Sequence, residues 1–297
     1  MVEEVSFGAN PGNLKMFIHS PSGIDSQVKR PLVIALHGCS QDSKNISVES
    51  GWNKLADDNN FIVLYPEQKR SNNMSKCFNW FELDDITKNA GELQSIINMV
   101  DYSIQKYNID TSQIFVYGLS AGAAMGVSLL AVYPSYFKVG AIFAGAPYKI
   151  ATNKMQAMNA MIKTKDKTPL EWGSLVSKDT VQQEYPKLIV FHGTKDKVVS
   201  IDNSIELIDQ WTYLHHIDTT PDNVTTSFKT SDVERIVYSD SLQEEKIVFY
   251  RISNLGHAIP IDPGEEQWQG GKSGMFTKKN NFFSTYYVAK EFGLIKQ

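Results

Sequence analysis

Five short apolar runs set the tightest limit on what this chain can fold into: PLVIALHG from Pro31, FIVLYPE from Phe61, QIFVYGLS from Gln113, VGAIFAGAP from Val139 and KLIVFHGTKD from Lys187. Each is rich in β-branched residues and continuous rather than alternating, so a strand made from it is apolar on both faces and must be covered on both. Between the runs lie stretches with helical spacing. From Ala90 to Tyr107 the apolar positions Leu93, Ile96, Ile97, Val100 and Ile104 recur on one face, and SAGAAMGVSLLAVY runs up to Pro134, whose ring stops a helix. Strands alternating with helices predict an α/β architecture, a doubly wound, mostly parallel sheet covered by helices. Ligands of such sheets bind beyond the carboxyl ends of the strands. His37 to Cys39, Ser120, Asp196 and His257 all directly follow apolar runs.

The 297 residues contain no internal repeat, low-complexity linker or shift in composition, so the expectation is a single domain over 1–297. Within it, 148–183 has few β-branched runs and reads as a helical excursion over the sheet. Its Met155, Met158 and Met161, with Trp172, read as packing. The polar, Thr-rich stretch from Thr219 to Ser231 reads as loop. With 42% hydrophobic and 21% charged residues the chain is expected to fold throughout. A net charge of −4 argues against a nucleic-acid partner, which requires a basic stripe. No run approaches the roughly 18 apolar residues of a membrane span. The N-terminus lacks a basic and an apolar signal region, which leaves a cytoplasmic protein or one whose leader has been removed; a secreted or periplasmic location is the favoured expectation. Cys39 and Cys77 fit two free thiols or one bridge. The sequence assigns no oligomeric state.

The chemistry centres on Gly118-Leu119-Ser120-Ala121-Gly122. A serine hydroxyl becomes a nucleophile only when a base takes its proton, and the base needs an acid to hold its tautomer. Ser120 stands between a predicted strand and a predicted helix, with glycines where a sharp turn has no room for a Cβ, as in a nucleophile elbow. The order nucleophile, acid, base along the chain is met by Ser120, Asp196 in the turn after KLIVFHG, and His257 after another apolar run. Asp202 and Asp209 are rival acids, but they read as helix cap and helix surface. Among the other histidines, His192 is a late-strand residue expected to face the interior. His215 and His216 end a helix, where a cation suits the dipole. The Ala121 N–H, opening the helix after the nucleophile, and the Cys39 N–H, in LHGC, are the candidate oxyanion donors; His37 reads as a brace for that loop. No metal-ligand spacing such as H-E-x-x-H or C-x-x-C is present, and no cofactor is expected.

Taken together, ALHGCSQD, LADDNNFIVLYPEQ, CFNWFELDD, YNIDTSQIFVYGLSAGAAM, FHGTKDKVV and GHAIPIDPG resemble the poly(3-hydroxybutyrate) depolymerase-like esterases of the α/β-hydrolase superfamily, which include feruloyl and acetyl xylan esterases. The blocks cover Pro31 to Pro147 well and Lys187 to Leu294 more loosely. The resemblance implies an α/β-hydrolase fold, Ser120 as nucleophile, Asp196 as acid and His257 as base. It also implies that Cys39 and Cys77 lie close together near the site, where a disulfide is expected. Many members carry GHAWP where this chain has Ile259, so an aliphatic pocket wall is expected there, and Trp80 in CFNWF is expected as an apolar substrate wall or a buried aromatic. The chain ends at Gln297 without a linker or polymer-adsorbing domain, which favours amorphous polymer, oligomers or small esters over crystalline polymer. The expected function is a cofactor-free serine esterase acting on poly(3-hydroxybutyrate) or its oligomers. The alternatives are a feruloyl or acetyl xylan esterase and a non-catalytic binding protein of the same fold.

Overall fold

The computed structural model describes residues 1–23, 25, 27–176 and 184–295. Its strands are β1 (Val2–Glu4), β2 (Lys15–His19), β3 (Arg30–Leu36), β4 (Ile62–Glu67), β5 (Ile109–Leu119), β6 (Val139–Phe143), β7 (Lys187–Gly193), β8 (Asn223–Thr225), β9 (Val233–Ser239), β10 (Glu245–Ile252), β11 (Ile259–Ile261) and β12 (Thr277–Lys279). The helices are α1 (Ser43–Glu49), α2 (Trp52–Asn59), α3 (Leu83–Ile86), α4 (Gly91–Tyr107), α5 (Ala121–Val132), α6 (Lys154–Ile162), α7 (Pro169–Gly173), α8 (Asp202–His215) and α9 (Ser284–Glu291). The first ten strands form one sheet in the order β1-β2-β4-β3-β5-β6-β7-β10-β9-β8, and β11 pairs with β12 apart from it. From β4 to β10 every neighbouring pair is parallel, and antiparallel strands flank this block on both sides. This is the α/β-hydrolase arrangement.

Alternation along each buried strand divides its side chains between two cores. On β3, Leu32, Ile34 and Leu36 join one core under α4, α5 and α8, while Val33 and Ala35 join the other under α2 and α9. In the second core, stacked aromatic rings cross the sheet from strand to strand. Phe143 lies 4.2 Å from Phe191, and Phe191 lies 4.5 Å from Tyr250, because these residues are directly in register on β6, β7 and β10. Offset aromatic pairs of this kind add about 0.5–1.5 kcal/mol each beyond their buried area.

Local sequence sets the helix ends. The α4 periodicity closes on Asn108, a left-handed C-cap with φ 50°. Asp42 and Asn153 cap α1 and α6 by accepting backbone N–H groups, and α7 opens on a Thr168/Glu171 capping box with Pro169 in the first turn. Within 148–183 the described residues hold α6 and α7; positions 177–183 lie outside them.

Three expectations are corrected. The Thr219–Ser231 stretch contains a strand, β8, which pairs with β9 at the sheet edge; all three of its residues are exposed, so it carries no hydrophobic alternation to reveal it. The methionines of α6 do not form a packing stripe, because Met155 and Met158 face solvent. His215 ends α8 as expected but is not a cation: burial pushes its imidazole down to about 4, against the helix dipole and a contact with the Pro186 carbonyl at 3.3 Å. His37 is likewise pushed down to about 4, chiefly by burial. Unfolded, both rings take up protons near 6.5, so the unfolded chain binds more protons between about 4 and 6.5 and stability falls as pH drops through that window. We expect urea unfolding free energies to be flat in this contribution above pH 6.5 and to decline below it. Replacing His215 by Gln should reduce the slope by about one proton, roughly 1.4 kcal/mol per pH unit at most.

Candidate active site

The turn between β5 and α5 is built from its glycines. A Cβ on Gly122 would lie 2.4 Å from the Leu36 carbonyl oxygen, and one on Gly118 would lie 2.5 Å from the Gly122 carbonyl oxygen. Only residues without a side chain let the strand end, the helix start and the end of β3 meet so closely. Ser120 between them adopts φ 55°, ψ −119°, a sparsely populated conformation worth about 1–3 kcal/mol of strain. Its N–H bonds to the Phe143 carbonyl at 2.9 Å and its carbonyl accepts from Ala124 at 2.9 Å, so both strand and helix hold the strained residue in place. Helix α5 is buried from Ala121 to Ala131, with no polar face. Such a helix forms only inside a covered sheet.

Asp196 and His257 meet because β7 and β10 are adjacent and parallel, so the loops after them leave the sheet side by side. Thr194 N–H bonds to Ile252 O and Lys195 N–H to Leu255 O, each at 2.9 Å. His257 Nδ1 then lies 2.7 Å from Asp196 Oδ2, across 61 residues of sequence. The carboxylate is fully buried and the ring nearly so. Asp196 Oδ1 accepts the Val198 and Val199 N–H groups at 2.8 and 2.9 Å. Burial by itself would raise this carboxyl, but the His192 and His257 donors, the electrostatic attraction of the His257 ring and the Val199 N–H together hold it well below the usual carboxylate range. An ionised carboxylate only accepts, so the proton of neutral His257 sits on Nδ1 and Nε2 is left as the basic nitrogen.

The second histidine at this carboxylate was not visible in the sequence as a partner of Asp196. His192 is buried as expected, but its Nε2 lies 3.0 Å from Val199 O and 3.3 Å from Asp196 Oδ2, while Nδ1 lies 2.7 Å from Ser204 Oγ. A carbonyl only accepts, so Nε2 carries the proton and Nδ1 accepts from the serine hydroxyl. The signal was the i,i+4 spacing of His192 and Asp196 across a strand end. Asp202 and Asp209 lie on α8; the Asp202 carboxylate accepts from Ser200 Oγ at 2.9 Å.

The loop after β3 is braced from both sides. His37 donates from Nδ1 to Gly38 O at 2.7 Å and accepts the Gln68 N–H on Nε2 at 3.1 Å. Gly38 N–H bonds to Gln41 Oε1 and Gln41 Nε2 to Glu49 Oε2, both at 2.9 Å. Glu49 also accepts the Met275 and Phe276 N–H groups. Its carboxylate therefore ties the Cys39 loop to the segment packed on His257, whose ring meets Phe276 edge-on at 5.8 Å. Cys39 is disulfide-bonded to Cys77, 38 positions away. Closing a loop of that length lowers the entropy of the unfolded chain by an amount worth about 4 kcal/mol. Unfolding in urea with and without reductant should differ by roughly that amount, and an unchanged midpoint would mean the bridge adds no constraint.

Ser120, Ala121, Cys39 and Trp80 line one apolar pocket, completed by Ala124, Ala144, Gly145, Ala146, Met161 and Val199. Neither the Cys39 nor the Ala121 N–H has an acceptor among the described residues, and Ala121 opens α5, where the helix dipole favours negative charge. Val199 links this pocket to Asp196 through its N–H. Ile259 departs from expectation: it is fully buried in the second core and is not among the pocket-lining residues. Strand β11 pairs with β12, and its Ile259 N–H bonds to Phe276 O at 2.8 Å, which turns the side chain inward. The aliphatic wall comes instead from Val199, Met161 and the alanines. Among the described residues no group of three or more His, Cys, Asp or Glu is placed to hold a metal ion, and no helix is long and apolar enough to cross a membrane.

Comparison with known proteins places these features in a lineage. Residues 15–230 match the family described as Esterase PHB depolymerase. The chain is 41% identical over 292 residues, 98% of its length and 69% of the other's, to poly(3-hydroxyalkanoate) depolymerase C of Paucimonas lemoignei. It is 31% identical to feruloyl esterase B of Talaromyces stipitatus, over 86% of this chain and 72% of that one. Among solved structures it superposes on an acetyl xylan esterase from Aspergillus awamori with a TM-score of 0.78 and 25% identity, covering 86% of this chain and 93% of the other.

Proposed function

This chain belongs to the PHB depolymerase esterase family and is a carboxylic ester hydrolase, and from that premise we propose that it cleaves short aliphatic hydroxyacid esters, poly(3-hydroxybutyrate) or its oligomers, through Ser120, His257 and Asp196. The observation that carries the roles is the 2.7 Å contact between His257 Nδ1 and Asp196 Oδ2, which leaves Nε2 basic. In this reading Ser120 Oγ attacks the ester carbonyl carbon as His257 Nε2 takes its proton. The oxyanion that forms accepts the Cys39 and Ala121 N–H groups. Collapse breaks the ester C–O bond, His257 returns the proton to the leaving alcohol, and Ser120 is left acylated. Water then attacks with the same base, releasing the acid and restoring the serine hydroxyl.

The pocket supports a short aliphatic acyl group. It is small, with about 290 Å³ of empty space even when the open solvent at its mouth is counted. Alanines make up much of its wall, and Trp80 is the aromatic residue lining it. The relative with 41% identity is named for a poly(3-hydroxyalkanoate); those named for feruloyl and acetylxylan esters are near 30%, and their substrates form the second reading. The chain is read as one catalytic domain that works outside the cytoplasm, since the Cys39–Cys77 bridge persists in an oxidising compartment.

The test is kcat/KM on a matched panel of hydroxybutyrate oligomers, amorphous poly(3-hydroxybutyrate), methyl ferulate, acetylated xylan and short p-nitrophenyl esters. A preference for the hydroxybutyrate esters supports the first reading. A preference for ferulate or acetylated sugar moves the chain to the second.

A further inference from the structure

Helix α6 exposes an apolar stripe, beside the exposed Lys154 and Asn159. At about 100° per residue, Met155, Met158 and Ile162 lie on one stripe, and they are 72%, 56% and 77% exposed. The opposite face carries Ala157 and Ala160, both buried, and on the flank between the two faces Met161, one turn from Met158, lines the active-site pocket. Single exposed apolar residues are ordinary on protein surfaces, but three in register on one short helix are a patch, and such patches mark interaction sites. The helix is held firmly under it. Ser200 N–H bonds to Met161 O at 2.7 Å and Asn203 Nδ2 to Ala160 O at 3.0 Å, so its C-terminal turn is fixed to the loop that follows Asp196. Val198 on that loop is half exposed, next to Val199 of the pocket wall. The N-terminal end borders a mostly polar groove, where Lys154 lies with Asn72, Asn73, Asn79 and Glu82 as well as Met74 and Phe81.

We propose that the outer face of α6, Met155, Met158 and Ile162 with Val198, is the surface by which the enzyme adsorbs to a water-insoluble aliphatic polyester. This rests on the substrate reading above. The argument is continuity: the same helix supplies Met161 to the pocket that holds Ser120, so an ester unit in that pocket has its neighbouring units within reach of the stripe. The stripe itself has no charged member, which suits a neutral polyester of methyl-bearing repeats. Lysines flank the helix at Lys154, Lys163 and Lys165, and an anionic lipid surface is the competing occupant to be tested.

The experiment measures adsorption of the Ser120→Ala protein to amorphous poly(3-hydroxybutyrate) particles, with and without the added triple change Met155→Gln, Met158→Gln and Ile162→Gln. The triple change is also made in the active enzyme. The expected result is a loss of about tenfold or more in adsorption affinity, as for withdrawal of several apolar side chains from an interface. Turnover of a soluble p-nitrophenyl butyrate should stay within about twofold, showing an intact fold and pocket. Undiminished adsorption of the triple variant overturns the proposal. So does adsorption by α6 to anionic phosphatidylglycerol vesicles in place of polyester. An enzyme that prefers acetylated xylan in the panel, yet adsorbs to polyester through α6, refutes the substrate reading and leaves the adsorption surface standing.

Discussion

Replacing Ser120 by Ala is expected to lower kcat on a soluble short-chain ester by about 10⁵–10⁶, leaving KM within a few-fold of its original value. The substitution removes one oxygen and keeps a Cβ of the same size at φ 55°, so the strained turn and its hydrogen bonds to Phe143 and Ala124 persist. The pocket walls and the Cys39 and Ala121 N–H groups are also unchanged, which is why binding survives when chemistry does not. Steady-state kinetics and covalent labelling by a fluorophosphonate check this together. The parent enzyme should take up one label per chain and the variant none. Activity within tenfold of the parent would place the nucleophile elsewhere.

Asp196→Asn should cost about 10⁴ in kcat with the protein still folded. The reason lies in how the carboxylate is used. Oδ1 accepts two backbone N–H groups, from Val198 and Val199, and Oδ2 faces the nitrogens of His257 and His192. The amide of an asparagine has only one oxygen, and the two backbone donors claim it. Its NH₂ then points at His257 Nδ1, a donor facing a donor, so the ring is driven to the tautomer with the proton on Nε2 and loses its basic nitrogen where it is needed. His192 cannot compensate, because its Nε2 proton is committed to Val199 O and its Nδ1 to Ser204. The measurement is kcat against pH for parent and variant, with circular dichroism to confirm the fold. A loss below tenfold would mean that Asp196 does not set the histidine tautomer.

Much of this arrangement is legible in one dimension, and the residues show why. Short continuous apolar runs rich in β-branched residues suit strands covered on both faces, and the five of them supply β3 to β7 of the parallel core. Gly118 and Gly122 announce a turn with no space for side chains, and in the fold a Cβ at either position would collide with the Gly122 or Leu36 backbone oxygen. Ser120, Asp196 and His257 stand out because each follows an apolar run, at the strand end where such sheets hold their ligands. The Cys39–Cys77 bridge was read from a family resemblance and not from spacing.

Other features have no one-dimensional signature. The edge strand β8 is polar on all its residues, so no alternation betrays it. Ile259 was expected at the pocket and is buried in the core, because the pairing of β11 with β12 decides which way it faces. His215 sits where a helix dipole welcomes a cation, yet burial keeps it neutral. Methionine spacing in α6 is the same whether the stripe faces in or out, and only the packing of Ala157 and Ala160 against the pocket wall turns it outward. The sequence alone thus determined the covered parallel sheet, the turn at Ser120 and the order of the three candidate residues, since periodicity and steric need are local properties written residue by residue. Which side chains meet across 61 residues, which histidine stays neutral and which face of a helix is bare were decided by the tertiary structure, because contact and solvent exclusion exist only once distant elements have packed.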